Sequence, residues 1–197
     1  MPDPVEPVFE SVNTIDQVSF ARWVSARESW DPQRYELLNG RVVVMPPARF
    51  PHGAAAHLLG GAVYVAVESA GGKGFDSSQG FELATGDTVE PDISWISPER
   101  WASAGAKRGE FLRVAPDLVI EVLSPSTSVR DRGEKRGIYE AAGVRDYWLV
   151  DTARRSITVF TAGTHGFDAG RVYGRGEVVH SSVLVPLAIA VDRVCSD

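Results

Sequence analysis

The chain has 197 residues, 44% of them hydrophobic and 23% charged, with a formal net charge of −6. That length suits one domain with a full core, and the acidic balance excludes a surface that holds nucleic acid by bulk charge alone. One cysteine, Cys195, excludes a disulfide framework or a Cys-rich zinc site within one chain.

Residues 1–12 read as a loose tail ahead of a single domain over residues 13–197. The first seven are acidic and proline-rich, unlike a secretory leader, and no apolar run is long enough to span a membrane. A cytoplasmic protein without membrane association is the expectation. Thr14 to Gln17 has capping-box form, which predicts a helix through Phe20 and Trp23. Trp30, Asp31 and Pro32 break the chain. Residues 35–45 place two apolar runs around Asn39-Gly40, the signal of a type I′ hairpin, ended by Pro46-Pro47. An Ala-rich apolar segment over 52–70, stopped by Gly71-Gly72, predicts a helix. A strand follows over 75–83, then a turn at Thr85-Gly86-Asp87.

Pro91-Asp92 opens a second strand-like run, and Ser97-Pro98-Glu99 carries the marks of a helix start. A glycine-interrupted basic loop over 105–113 leads into Asp117-Leu-Val-Ile-Glu121-Val-Leu123, a buried strand by its short β-branched run. Ser126, Thr127 and Ser128 predict a helix to Ala142 with Gly143 as its stop. Residues 146–151 and 156–160 form a strand and its hairpin partner, and short strands fill residues 163–194. Helices and strands mix without regular βαβ alternation, which indicates an α+β fold.

Glu121 is the misfit. Alternation puts Asp117, Val119, Glu121 and Leu123 on one face of the strand, and an unpaired carboxylate there costs several kcal/mol. Asp117 lies roughly 13 Å away along the strand, too far to share an ion. Asp92, on a neighbouring strand about 4.8 Å away, is the better partner. Two such carboxylates make a small oxygen-only site suited to Mg²⁺ or Mn²⁺, with the ion offsetting both charges. His52 and His57 are five residues apart and read as structural.

Several blocks together resemble the Uma2 family, which is similar to restriction endonucleases of the PD-(D/E)XK type. They are Pro116-Asp117-Leu-Val-Ile-Glu121-Val-Leu-Ser-Pro-Ser126, then Asp131, Lys135, Tyr139, Gly143 and Tyr147-Trp148-Leu-Val-Asp151. Upstream, Tyr35-Glu36-Leu with Asn39-Gly40, and Glu90-Pro91-Asp92-Ile, match two further blocks. The resemblance implies a restriction-endonuclease-like central mixed β-sheet flanked by helices, a metal-dependent DNA endonuclease site and a homodimer. Leu123 departs from it, standing where the D/E-x-K triplet has lysine. Lys135, about 10 Å along the next helix by its rise, is the candidate replacement if that helix packs back on the sheet, with Asp131 holding it from one turn earlier.

In that reading Asp92 and Glu121 bind the metal and Lys135 completes the catalytic set. Glu36 adds a carboxylate from the hairpin edge, and Arg130, Arg132, Arg136, Lys107 and Arg108 offer phosphate contacts. The alternative is a catalytically inactive module on the same fold that binds nucleic acid or protein. The bland readings are a core arginine on Glu121, a solvated face for the helix arginines and packing roles for Tyr139, Tyr147 and Trp148.

Overall fold

The computed structural model describes residues 9–27, 31, 33–45 and 47–195. The break expected at Trp30 and Pro32, the hairpin end at Pro46 and the first eight residues of the expected tail lie outside the described residues. In chain order the elements are β1 (Phe9–Glu10), α1 (Gln17–Ser25), β2 (Arg34–Leu38), β3 (Arg41–Met45), α2 (His52–Ala70), β4 (Lys73–Asp76), β5 (Phe81–Glu82), β6 (Thr88–Val89) and β7 (Ile93–Ile96). They continue with α3 (Pro98–Ser103), β8 (Leu118–Val122), α4 (Ser128–Arg130), a π-helical turn (Asp131–Lys135), α5 (Arg136–Ala141), β9 (Asp146–Asp151) and β10 (Ser156–Gly163). The last are β11 (Gly166–Phe167), β12 (Arg171–Tyr173), β13 (Val178–His180), β14 (Ala188–Ala190) and α6 (Val191–Val194).

The Asn39-Gly40 hairpin forms as expected. Both residues have positive φ, 50° and 77°, the pair of conformations a type I′ turn requires. Its strands lie in a five-stranded sheet of order β1-β3-β2-β6-β5. Residues 9–10, expected in the tail, pair with Val43 and Val44 at its edge. The cap of α1 is Asp16 rather than Thr14: its carboxylate accepts from Ser19 N at 2.7 Å. Gln17 is drawn elsewhere, donating to the carbonyls of Leu83 and Asp87 at 2.9 and 2.7 Å. A carboxylate at the N-cap also complements the helix dipole.

The strand expected over 75–83 is two strands in different sheets. Asp76 Oδ1 accepts from Ser78 N at 3.0 Å and from Ser78 Oγ at 2.5 Å, an Asx turn that redirects the chain. β4 is the edge of a larger sheet ordered β11-β10-β9-β8-β7-β4, with β12 added beside β10. Only β8 and β9 run parallel in that order, joined by the crossover through α4, the π turn and α5. The rest is antiparallel, which makes the sheet mixed.

Alternation in β8 holds. Leu118, Ile120 and Val122 pack with Ala55, Leu59 and Val63 of α2. Val119 and Leu123 pack on the other side with Ile138 and Tyr139 of α5 and with Tyr147. With helices on both faces, all five residues of β8 are buried, as a parallel crossover strand requires. A third apolar group, Phe20 with Tyr35, Leu37, Val42 and Val44, seats α1 on the smaller sheet. Among the described residues no helix is long and apolar enough to cross a membrane.

Candidate active site

β7 and β8 pair antiparallel with Ile93 opposite Ile120, so one step further Asp92 stands opposite Glu121. Their contacts follow that register. Val122 N donates to Asp92 Oδ2 at 2.8 Å, and Asp92 N lies 3.4 Å from Glu121 Oε2. Both side chains are buried, at 5% and 3% exposure. The strand-pairing argument from sequence thus brings these two carboxylates to one place.

Lys135 arrives from the crossover. The π turn over residues 131–135 is wider than an α turn, and such turns are frequent at functional sites. Tyr147 Oη, donating to the carbonyl of Asp131 at 3.0 Å, pins it to the sheet. Lys135 Nζ sits 2.7 Å from Glu121 Oε1, 2.8 Å from Glu36 Oε1 and 3.9 Å from Asp131 Oδ1. Glu36 also accepts from Glu90 N at 3.0 Å. It does not come from a sheet edge, since β2 lies between β3 and β6. Leu123 stays in the apolar cluster with Tyr139, and the ammonium beside Glu121 comes from Lys135 instead.

Three further residues belong to the site, Tyr139 and His52 read otherwise from sequence and Arg34 not singled out there. Tyr139 is more than a packing anchor: its hydroxyl donates to Glu121 Oε1 at 2.8 Å. Arg34 Nη1 contacts Asp92 Oδ1 at 2.8 Å, while Nη2 donates to the carbonyl of Glu90. His52 Nε2 lies 3.0 Å from Asp92 Oδ2. The signal for Arg34 was its place two residues before Glu36, on the same face of β2. His52 offered none, since its role depends on where α2 starts in space. Arg34, His52 and Lys135 each place a cationic or hydrogen-bonding group on Asp92 or Glu121, of which only Lys135 is expected from sequence.

The expected basic face is largely spoken for. Arg130 pairs with Glu10 and Glu134 at 3.0 and 3.2 Å, and Arg132 with Asp151 at 2.8 Å. Arg136 stacks on Phe160 with its guanidinium 4.5 Å from the ring centroid. Glu10 and Asp151 come from β1 and β9, invisible to a count along one helix, whereas Glu134 is an i,i+4 partner on the same helical run. Lys107 and Arg108 lie exposed on the loop before β8.

Burial dominates the electrostatics. It pushes Glu121 up to about 7, Asp131 to about 6 and Glu90 to about 7. It opposes ionisation of Asp92 too, yet the His52 hydrogen bond and the Arg34 charge overcome it and hold that carboxyl at about 2. Glu36 is likewise lowered, because Lys135 and Arg34 outweigh its burial. Burial works against the charge of Lys135, but Glu121, Glu36 and Asp131 prevail and keep its pKa well above the ordinary lysine value. Lys135 is therefore a fixed positive charge and not a base. A cleft of about 680 Å³ between α2 and β4, lined by Gly60, Gly61, Tyr64 and Phe75, reaches Asp92.

The sequence pattern of the Uma2 family, described as "putative restriction endonuclease", matches residues 20–192. The chain belongs to the Uma2 family. Its fold is also that of a solved relative, a putative nuclease of the DUF820 family from Anabaena variabilis ATCC 29413. The two share a TM-score of 0.71 at 17% identity, over 88% of this Uma2 chain and 95% of the other. No curated protein matches the chain. The family description is a nuclease assignment, and in this Uma2 chain Asp92, Glu121 and Lys135 are brought together in one buried cluster.

Proposed function

We propose that this Uma2 chain is a Mg²⁺- or Mn²⁺-dependent endonuclease that hydrolyses phosphodiesters in DNA. Asp92 and Glu121 are its metal ligands and Lys135 its catalytic cation. The observation that carries the reading is Glu121 itself. It is a carboxylate inside an apolar strand, opposite a second carboxylate, with a buried ammonium 2.7 Å away.

The donor set suits the ion. Among the described residues no three His, Cys, Asp or Glu side chains form a cage, and Mg²⁺ commonly takes only one or two carboxylates and keeps waters or phosphates for the rest. Each carboxylate oxygen offers about two acceptor sites. Asp92 Oδ2 has two partners and Oδ1 has one; Glu121 Oε1 has two, and Oε2 only the long contact from Asp92 N. One oxygen on each residue keeps capacity for an ion. The charge balance points the same way. Five acidic side chains (Glu36, Glu90, Asp92, Glu121, Asp131) face two permanent cations, Arg34 and Lys135, with His52 charged only when protonated.

When bound, a divalent ion lowers the pKa of a water and neutralises charge on the phosphate. The chain's own residues supply the remainder. Lys135 stays protonated and places its charge beside Glu121, where negative charge develops on the phosphorus oxygens. Glu36 and Asp131 fix the ammonium, and Tyr139 fixes Glu121 Oε1, so neither has to reorganise. Lys107 and Arg108 are candidate contacts for the DNA backbone.

Plasmid nicking in Mg²⁺ and in Mn²⁺ tests the proposal. Wild type is expected to nick, and Glu121→Ala to lose nicking by a factor of about 100 or more. Equal nicking by the two proteins refutes it. Because Arg34, His52 and Lys135 already contact Asp92 and Glu121, an inactive binding module is the second reading. Calorimetric titration separates the two: Mn²⁺ binding that vanishes with Glu121→Ala belongs to the enzyme.

A further inference from the structure

Arg34 stands in a place that an ion would contest. Its guanidinium takes Asp92 Oδ1 at 2.8 Å and the Glu90 carbonyl, and its side chain is 27% exposed. Its Nε is buried and finds no hydrogen-bond partner among the described residues. A buried donor without a partner is costly unless something else uses it. Arginine carries five N–H donors in a planar fork that matches phosphate in a bidentate way. Here only two of its nitrogens are engaged. Asp92 does not need Arg34 to keep its orientation, because Val122 N and His52 already hold Oδ2.

We infer that Arg34 is a lock on the metal site: its guanidinium occupies Asp92 when no ion is bound, and entry of the ion releases it to a substrate phosphate. The inference rests on the metal-dependent reading above and adds an order of events to it. A +1 group and a divalent ion cannot share Asp92 without strong repulsion, since charges about 5 Å apart interact by several kcal/mol at the protein's effective dielectric. The released fork, with Nε unpaired in the present structure, offers a planar set of donors to a phosphate. Metal and substrate then bind with positive coupling, each favouring the state in which Arg34 has left Asp92.

The test is an Arg34→Gln variant with two binding readouts, Mn²⁺ by electron paramagnetic resonance and a phosphorothioate DNA strand at saturating Mn²⁺. The lock predicts a split: Mn²⁺ binds at least about tenfold tighter in R34Q, and the strand binds about tenfold weaker. A residue that only braces the fold would move both in the same direction. Equal or weaker Mn²⁺ binding by folded R34Q overturns the inference. It leaves the metal reading standing if wild type binds Mn²⁺ and Glu121→Gln does not. If neither wild type nor R34Q binds Mn²⁺, the metal reading falls and the lock with it. Should R34Q fail to fold, the wild-type chain supplies the measurement. The ¹⁵N resonance of Arg34 Nε moves on saturation with Mg²⁺ if the guanidinium leaves Asp92, and an unmoved resonance overturns the lock.

Discussion

Replacing Lys135 with methionine keeps most of the side-chain volume and removes the ammonium from between Glu36 and Glu121. In the native site Nζ lies 2.8 Å from one carboxylate and 2.7 Å from the other. At an effective dielectric of about 20, each contact amounts to about 6 kcal/mol of attraction. Dehydrating the lysine cancels much of this, and deleting one partner of such a buried set costs about 3–5 kcal/mol net, because the acids remain buried without it. The cost depends on pH in a definite direction. Glu121 has a folded pKa of about 7, above its ordinary 4.5. The folded state therefore holds the extra proton between those values, and stability falls as pH rises through that window. Removing Lys135 pushes Glu121 higher still and widens the window. Urea denaturation of wild type and Lys135→Met at pH 5.5 and pH 8 checks this. The expected loss is about 3–5 kcal/mol at pH 8 and clearly smaller at pH 5.5. A loss under about 1 kcal/mol at pH 8, or a larger one at pH 5.5, refutes the idea that Lys135 is the site's main counter-charge.

Glu90 offers a stability gain in the opposite sense. Burial, and after it the Glu36 charge, raises it to about 7, so ionising it above that pH works against folding. Glu90→Gln should match wild type near pH 5 and exceed it by about 1–3 kcal/mol at pH 8; a variant that is less stable at pH 8 would contradict the assignment. Away from the site, Asp146 accepts from Ser181 Oγ at 2.8 Å, Ser182 N at 2.8 Å and Ser182 Oγ at 2.5 Å, tying the segment after β13 to the start of β9. Asp146→Ala should lower stability by about 2–4 kcal/mol in urea titrations, and a change within 0.5 kcal/mol of wild type (about the surface-site scale) would show that the clamp is dispensable.

The parts of the fold that were legible in the sequence are those governed by local periodicity. The Asn39-Gly40 hairpin and the two-sided burial of β8 follow from patterns within ten residues. That Asp92 lies beside Glu121 needed one further step, the pairing of two strand-like runs as neighbours; their antiparallel register came only from the structure. What could not be read is what depends on how separate elements meet. Asx geometry at Asp76 splits one apparent strand between two sheets. Glu10 and Asp151 arrive from β1 and β9 to occupy Arg130 and Arg132, contacts that the helix's own sequence does not show.

Lys135 and Arg34 show how far a charge's role depends on tertiary placement. On a helix in isolation, Lys135 is an ordinary solvated lysine. Only the π turn and the return of the crossover onto β8 bury it to 4% exposure against Glu121. Arg34 opens β2, and pairing of β2 inside the smaller sheet carries it to Asp92. The two cations then divide the carboxylates: Lys135 holds Glu121 and Glu36, and Arg34 holds Asp92. Their mobility differs in a way that bears on function. Lys135 is confined by three acids and cannot leave without exposing buried charge. Arg34 is partly exposed, carries an unused donor, and leaves behind an aspartate still held by His52 and Val122 N. A site arranged this way can exchange one counter-charge while keeping the other in place, which is what admitting an ion beside a fixed catalytic ammonium requires.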